Sequence, residues 1–479
     1  MQDNKNFLGT APIGKLLLKL SIPTVIAQLI NMLYNIVDRI YIGHIPGEGS
    51  LALTGVGVCM PIIMIVSAFA ALVSSGGAPR ASIYMGKQEN ESAEQILGNC
   101  FSLQIIISLI LTTVLLIWSK DLLLAFGASE NTIGYATDYM QIYAFGTLFV
   151  QLTLGMNSFI TAQGFTTVSM VSVVIGAICN ISLDPVFIFG FHMGVKGAAL
   201  ATILSQGISM VWVILFLCGK KTQIHLRTKY MRLEPKVILP CVALGLAAFI
   251  MQASESIVSV CFNSSLLRYG GDIAVGAITI LTSVMQFAML PLQGIAQGAQ
   301  PISSYNYGAK NADRVKKTFR LLAITCFVYS TLLWTAVQLV PKAFVSIFTA
   351  DADLIAFSAP MLQIYLGGLC LFGIHGMIHQ QRHFMLRVAA HKARHIAQVV
   401  VIHALFVLID HAAVFAEKHT TVCHRCKKLA QAGILPTGCR AKQNAAPVQL
   451  PYLLKDLVFQ FLFAVLQQRT VNIAANQSD

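Results

Sequence analysis

Charge is scarce in this chain. Asp, Glu, Lys and Arg make up only 11% of its 479 residues, against 56% hydrophobic, and the mean hydropathy is +0.70. Soluble domains are roughly one-quarter charged, so this balance excludes a water-soluble globular protein. Period-two alternation over short strands is also missing, which excludes a membrane β-barrel. Eight of the eleven Cys precede residue 375, most of them isolated in apolar segments, so no disulfide framework is implied. No Gly-rich phosphate loop follows a strand, and His44, His192 and His225, the only His before residue 375, lack a nucleophile partner. The chain therefore reads as a non-enzyme.

Long apolar runs are what it has instead. They fall near 14–37, 51–76, 97–118, 133–156, 166–191, 196–217, 237–262, 273–298, 318–341 and 354–374. A helix needs about 20 such residues to cross a bilayer core, so ten spans are expected. The polar start MQDNKNFLGTAPIGK leads straight into a full span and shows no cleavable signal. The formal charge of +13 suggests a nucleic-acid partner until its placement is considered. Lys220, Lys221, Arg227, Lys229, Arg232 and Lys236 follow the sixth span, and Lys310, Arg314, Lys316, Lys317 and Arg320 follow the eighth. Alternate loops are nearly bare, which predicts a cytoplasmic N-terminus by the positive-inside rule and excludes nucleic acid.

The chain also repeats itself. GGAPRASIYMG at 76–86 matches GAQPISSYNYG at 298–308, and KDLLLAFGASENTIGYATDYMQIYAFG at 120–146 matches KAFVSIFTADADLIAFSAPMLQIYLGG at 342–368. A single offset of 222 residues relates both pairs, which separates the copies by an even six spans and predicts a parallel repeat. The expected fold class is an all-α polytopic membrane protein of two six-helix lobes. Residues 1–217 form the N-lobe, 218–236 a cytoplasmic linker and 237–374 the C-lobe.

The repeat ends near Ile374. Nine of twelve His lie beyond it, but only three of 35 Gly. The last two expected helices are disrupted, and residues 375–479 read as a non-native or frame-shifted continuation. The rival is a genuine tail with a zinc site at His419, Cys423, Cys426 and Cys439, where CHRC has the C-x2-C spacing.

Three acidic residues stand inside spans: Asp38, Asp184 and Glu255. Such groups are costly in lipid and mark ion or substrate pathways. Asp184 sits in NISLDPVFIFG, four residues after Asn180 and therefore on the same helix face. Pro185 displaces the carbonyl of Ile181, so carboxylate, amide and carbonyl together suit a small hard cation or a proton. The alternative is an Asp near a helix end, with the proline as its stop. Asp38, near the end of the first span with Tyr34 one turn before, reads equally as interfacial or functional. Glu255 is a candidate titratable group or a polar residue satisfied between helices.

LKLSIPTVIAQLINMLYNIVDRIYIG, ALTGVGVCMPI, GGAPRASIYMGKQENESAEQILGN, NISLDPVFIFG with GVKGAALATILSQ, and PISSYNYGAKNADRVKKTFR resemble the multidrug and toxic compound extrusion (MATE) family, in its DinF-like branch. The resemblance covers residues 1–374. It implies twelve helices, a prokaryotic cytoplasmic membrane, a monomer, no cofactor, and antiport of small organic, often cationic, drugs against H+ or Na+. Carried over by position, the family's cation or proton site falls on Asp38, Asn180, Asp184 and Thr202, and its substrate contacts on Tyr34, Tyr139 and Asn157. In that cycle a drug cation competes with the coupling ion for one buried negative site. Where the family continues its tenth helix with a CQQ-type segment, this chain reads HQQRHFMLRV, which puts closure of the second lobe in question. Two other functions fit less closely: a lipid-linked oligosaccharide flippase of the same superfamily, which needs basic cavity residues, and a transport-dead remnant.

Overall fold

The computed structural model describes residues 7–348, 352–367 and 369, apart from the side chains of 256–276, 278, 279, 352 and 353. The chain divides into a unit of residues 1–385 and a second, 386–479, which contains none of the described residues. The aberrant segment 375–479, with the zinc candidates His419, Cys423, Cys426 and Cys439, therefore lies outside the described residues.

Every regular element among the described residues is helical. A short α1 (Phe7–Thr10) precedes α2 (Ile13–Gly43), α3 (Gly49–Gly86), α4 (Asn90–Ala125), α5 (Ile133–Ala162), α6 (Thr166–Pro185) and α7 (Val195–Cys218). After an extended segment come α8 (Pro235–Gly308), α9 (Ala312–Leu339), α10 (Pro341–Ser346) and α11 (Ala352–Tyr365). Seven stretches among the described residues are long and apolar enough to cross a membrane. Leu18, Leu109, Ile117, Leu215 and Leu332 point outward, each more than half exposed. An outer surface of large apolar side chains is intelligible only against lipid.

The sequence leads one to expect two spans where the backbone is one continuous helix, α8. Its two ends nevertheless meet the same partner. Cys241 and Gly245 lie against Leu72 and Gly76 of α3, while Tyr305 and Gly308 lie against Ile83 and Gly86. A straight helix would hold Cys241 and Tyr305 roughly 95 Å apart. α8 is therefore folded back on itself, and the two expected spans are its arms.

The close approach of α3 and α8 needs residues without side chains. A methyl added at Gly86 would run into the carbonyl of Tyr305, and one at Gly308 into the carbonyl of Ile83. Small residues at helix crossings in membranes allow this backbone contact. The pairs are reciprocal under the sequence repeat, since Ile83 and Tyr305 are 222 apart, as are Gly86 and Gly308. Reciprocity of this kind is the mark of a two-fold axis at the crossing. The parallel repeat read from the letters is thus present in the packing.

Polar side chains tie the first half together. Gln151 Nε2 donates to Val66 O at 2.7 Å and Gln104 Nε2 to Ala70 O at 3.4 Å, bridging α5 and α4 to α3. Two apolar clusters pack around them, one built on Phe159 and Met156 that runs on into α8 and α9 through Leu292 and Leu322, the other on Met140 and Val56.

Candidate functional site

Asp184 is fully buried and Asp38 is 6% exposed, although one stands near the end of α6 and the other near the end of α2. Asp38 is therefore turned into the bundle, where α2 packs on α6, and not out to solvent. The two carboxyl groups meet side by side. Asn180 Nδ2 donates to Asp184 Oδ1 at 3.3 Å across one helical turn, as the four-residue spacing requires. Asp38 Oδ1 and Asp184 Oδ2 find no donor in the protein. Two contacting carboxyl groups withdrawn from water require a shared proton or a cation between them.

Pro185 does not end the helix. The backbone continues as a π-turn over Val186–Gly190, the wider geometry that accommodates a proline and recurs at functional sites. Gly197 of α7 packs directly on the backbone of Phe187 and Ile188, which fixes the turn against α7.

Beside the carboxyl pair is a small polar cleft of about 50 Å³, room for a few waters and less than a drug-sized ligand fills. Tyr34, Asn157, Asn180 and Thr202 line it, so four of the expected site residues, each from a different helix, border one cleft. Tyr139 does not. It is 3% exposed, stacked near Tyr143 with ring centroids 6.3 Å apart, and contacts Thr202 from behind the cleft. Tyr34 makes its side-chain contacts with Asn35 and Gln206, and its relation to Asp38 is through charge only. Glu255 lies elsewhere, exposed on α8 with Tyr365 as its electrostatic neighbour.

Gln206, Thr153, Ser172, Ser205 and Ser209 also line the cleft and were not singled out from the sequence. A signal existed, because Thr202, Ser205, Gln206 and Ser209 follow the i, i+3, i+4, i+7 spacing of one helix face. The amides have a common orientation. Asn157 gives its nitrogen to Ser169 O at 3.3 Å, and Asn180 gives its own to a carboxylate, both acceptor-only partners. Their oxygens, and that of Gln206, are left with no protein donor. None of the residues lining the cleft is Lys or Arg. Among the described residues, no group of three or more His, Cys, Asp or Glu could hold a metal ion.

A folded-back helical bundle with an apolar exterior, a paired carboxyl site and an uncharged polar cleft defines a multi-pass membrane carrier. The comparisons give it a family. The MatE family matches residues 23–186 and 247–381, more than half of the chain, and the chain belongs to it. The second match stops at 381, leaving 382–479 unmatched. A multidrug export protein, MepA, of Staphylococcus haemolyticus is 25% identical over 375 residues, covering 78% of this chain and 82% of that protein. A MepA of Staphylococcus aureus is 24% identical over 368 residues, covering 77% and 81%. Among solved structures, an outward-facing multidrug resistance MATE transporter superposes with a TM-score of 0.73 at 22% identity, covering 79% of this chain and 84% of its own. A transporter of the MOP superfamily from Pyrococcus furiosus gives 0.72 at 22% identity, covering 78% and 84%. These two likenesses speak for the fold.

Proposed function

We propose that this chain is a cation-coupled antiporter that exports organic, often cationic, drugs by alternating access from a prokaryotic cytoplasmic membrane. The observation that carries the reading is the Asp38–Asp184 pair with Asn180, set against a polar cleft free of basic lining residues. H+ or Na+ occupies the carboxyl pair in one half of the cycle. A drug cation entering by Tyr34 and Asn157, with Tyr139 and Thr202 behind them, competes for the same negative site. That exclusivity couples the two fluxes, since each ligand favours the state it binds better. The positive charge of alternate loops supports a cytoplasmic N-terminus. The protein acts as a monomer and needs no cofactor beyond the coupling ion. The neutral, acid-flanked cleft suits a cation better than the pyrophosphate of a lipid-linked sugar.

Efflux of ethidium from cells lacking their own exporters tests this. The wild-type chain should export, and Asp184→Asn at equal membrane abundance should abolish export, because the amide carries no negative charge for a cation to neutralise and takes up or releases no proton. Undiminished export by the variant would sink the site. Absence of export by the wild-type chain would sink the function.

A further inference from the structure

The segment before α8 is not a loose tether. Gln163 Oε1 accepts from Thr222 Oγ1 at 2.7 Å and from the backbone of Gln223 and Ile224 at 2.7 and 3.2 Å. Glu94 of α4 accepts from His225 N at 3.0 Å and pairs with Arg227 Nε at 3.0 Å. Asn99 holds Tyr230 O at 3.2 Å and Glu234 N at 2.7 Å, and Ser102 holds Met231 O at 2.7 Å. Tyr230 donates to Glu91 at 2.6 Å, a bond that raises its phenol above the usual range. α4 of the first half thus grips the chain on its way into the second.

The segment before α2 is held in the same way from the other side. Arg314 of α9 donates to Ala11 O at 2.6 Å and to Leu8 O at 3.2 Å. Asn306 of α8 is fully buried, donates to Leu8 O at 2.9 Å, and accepts from Arg314 Nε at 3.0 Å. Phe7 and Leu8 press on Gly164 of the first half, while Gly9 lies against the Tyr305 ring of the second.

The two arrangements correspond residue by residue. α2 begins at Ile13 and α8 at Pro235, α4 at Asn90 and α9 at Ala312, each pair 222 apart. Leu8 and Tyr230 are 222 apart as well, and each offers its carbonyl to a side-chain donor of the opposite half. The donors differ, so the match is one of geometry and not of copied letters.

We propose that 7–12 and 222–234 are paired straps through which each half of the carrier fastens the entry segment of the other, locking the face that carries the N-terminus closed. Opening that face requires the halves to part at the α3–α8 crossing. Straps that bridge the halves cannot stay fastened on both sides while this happens, so their release and the opening are one event. The role in transport rests on the alternating-access reading; the mechanical linkage does not.

Hydrogen–deuterium exchange on the full-length protein tests the linkage. Arg314→Gln should speed exchange roughly tenfold or more in 7–12 and also at the facing ends 82–86 and 304–308, since loss of a lock exposes everything it closes. Arg314→Lys, which keeps the charge but not the forked donor, should fall between. Glu94→Gln loosens the second strap and should speed exchange in 223–231 and at 72–76 and 241–245. Acceleration confined to the strap touched by each variant would overturn the proposal, because a merely local fastening leaves the crossing shut. If one variant fails to fold, the other strap supplies the same test. Neither readout needs export, so a failed exporter reading with linked exchange would leave the straps standing.

Discussion

The centre of the first half and the face at the N-terminus are both polar places inside an apolar bundle, yet they treat their oxygens in opposite ways. At the face, the carbonyls of Leu8, Ala11, Tyr230 and Met231 are each taken by a side-chain donor. At the centre, the oxygens of Asn157, Asn180 and Gln206, and one from each of Asp38 and Asp184, have no donor in the protein. A paired buried oxygen holds a fold together, while an unpaired one is a standing cost unless a guest or ion relieves it. The difference separates closure from binding.

The comparison breaks first at Asn306. Replacing it by Leu removes the donor to Leu8 O and the acceptor for Arg314 at a fully buried position. Leu8 O keeps Arg314 as a donor, but a charge-assisted bond at about 1.5–3 kcal/mol and a neutral one at about 0.5–1.5 are lost together, which predicts a loss of roughly 2–4 kcal/mol. Thermal unfolding of the purified protein should show a melting temperature below that of either Gly86→Ala or Gln206→Leu. An unchanged melting temperature would mean that the face is not held by its paired oxygens.

Gly86→Ala is the next step down. Its methyl would strike the Tyr305 carbonyl, which is backbone and has no rotamer to escape into. Overpacking of this sort costs about 1–3 kcal/mol. The repeat sharpens the expectation, because Gly308→Ala should cost a similar amount through the reciprocal contact with Ile83. Unequal losses in melting temperature would show that the two-fold relation at the crossing is geometric but not energetic.

What the sequence revealed follows from which forces are local. Hydropathy runs, the 222-residue repeat and the Asn180–Asp184 spacing depend on near neighbours along a helix, so they could be read directly. The burial of Asp38 could not, since it depends on α6 packing over a helix end that looked interfacial. Tyr139 falls behind the cleft for the same reason: a polar letter within a span does not say which way the helix is turned. The straps were invisible because their bonds join residues 59 or more apart, from Gln163 with Thr222 to Asn306 with Leu8, and many use backbone groups that carry no letter.

The smallest effect on stability is expected at Gln206. Its oxygen has no protein donor, so Gln206→Leu removes a buried acceptor that no protein group satisfies, which offsets the loss of its side-chain contact with Tyr34. The change should be near neutral, within about 1 kcal/mol, and of either sign. Binding should respond instead. An unpaired acceptor in a cation cleft favours guests with N–H groups over fully alkylated ones. Titration of the purified protein with benzylammonium and benzyltrimethylammonium should therefore show the variant losing affinity for the first and not for the second. A variant that melts several kcal/mol lower and keeps the same preference would place Gln206 with the paired oxygens of the face, and the contrast between centre and face would fail at that residue.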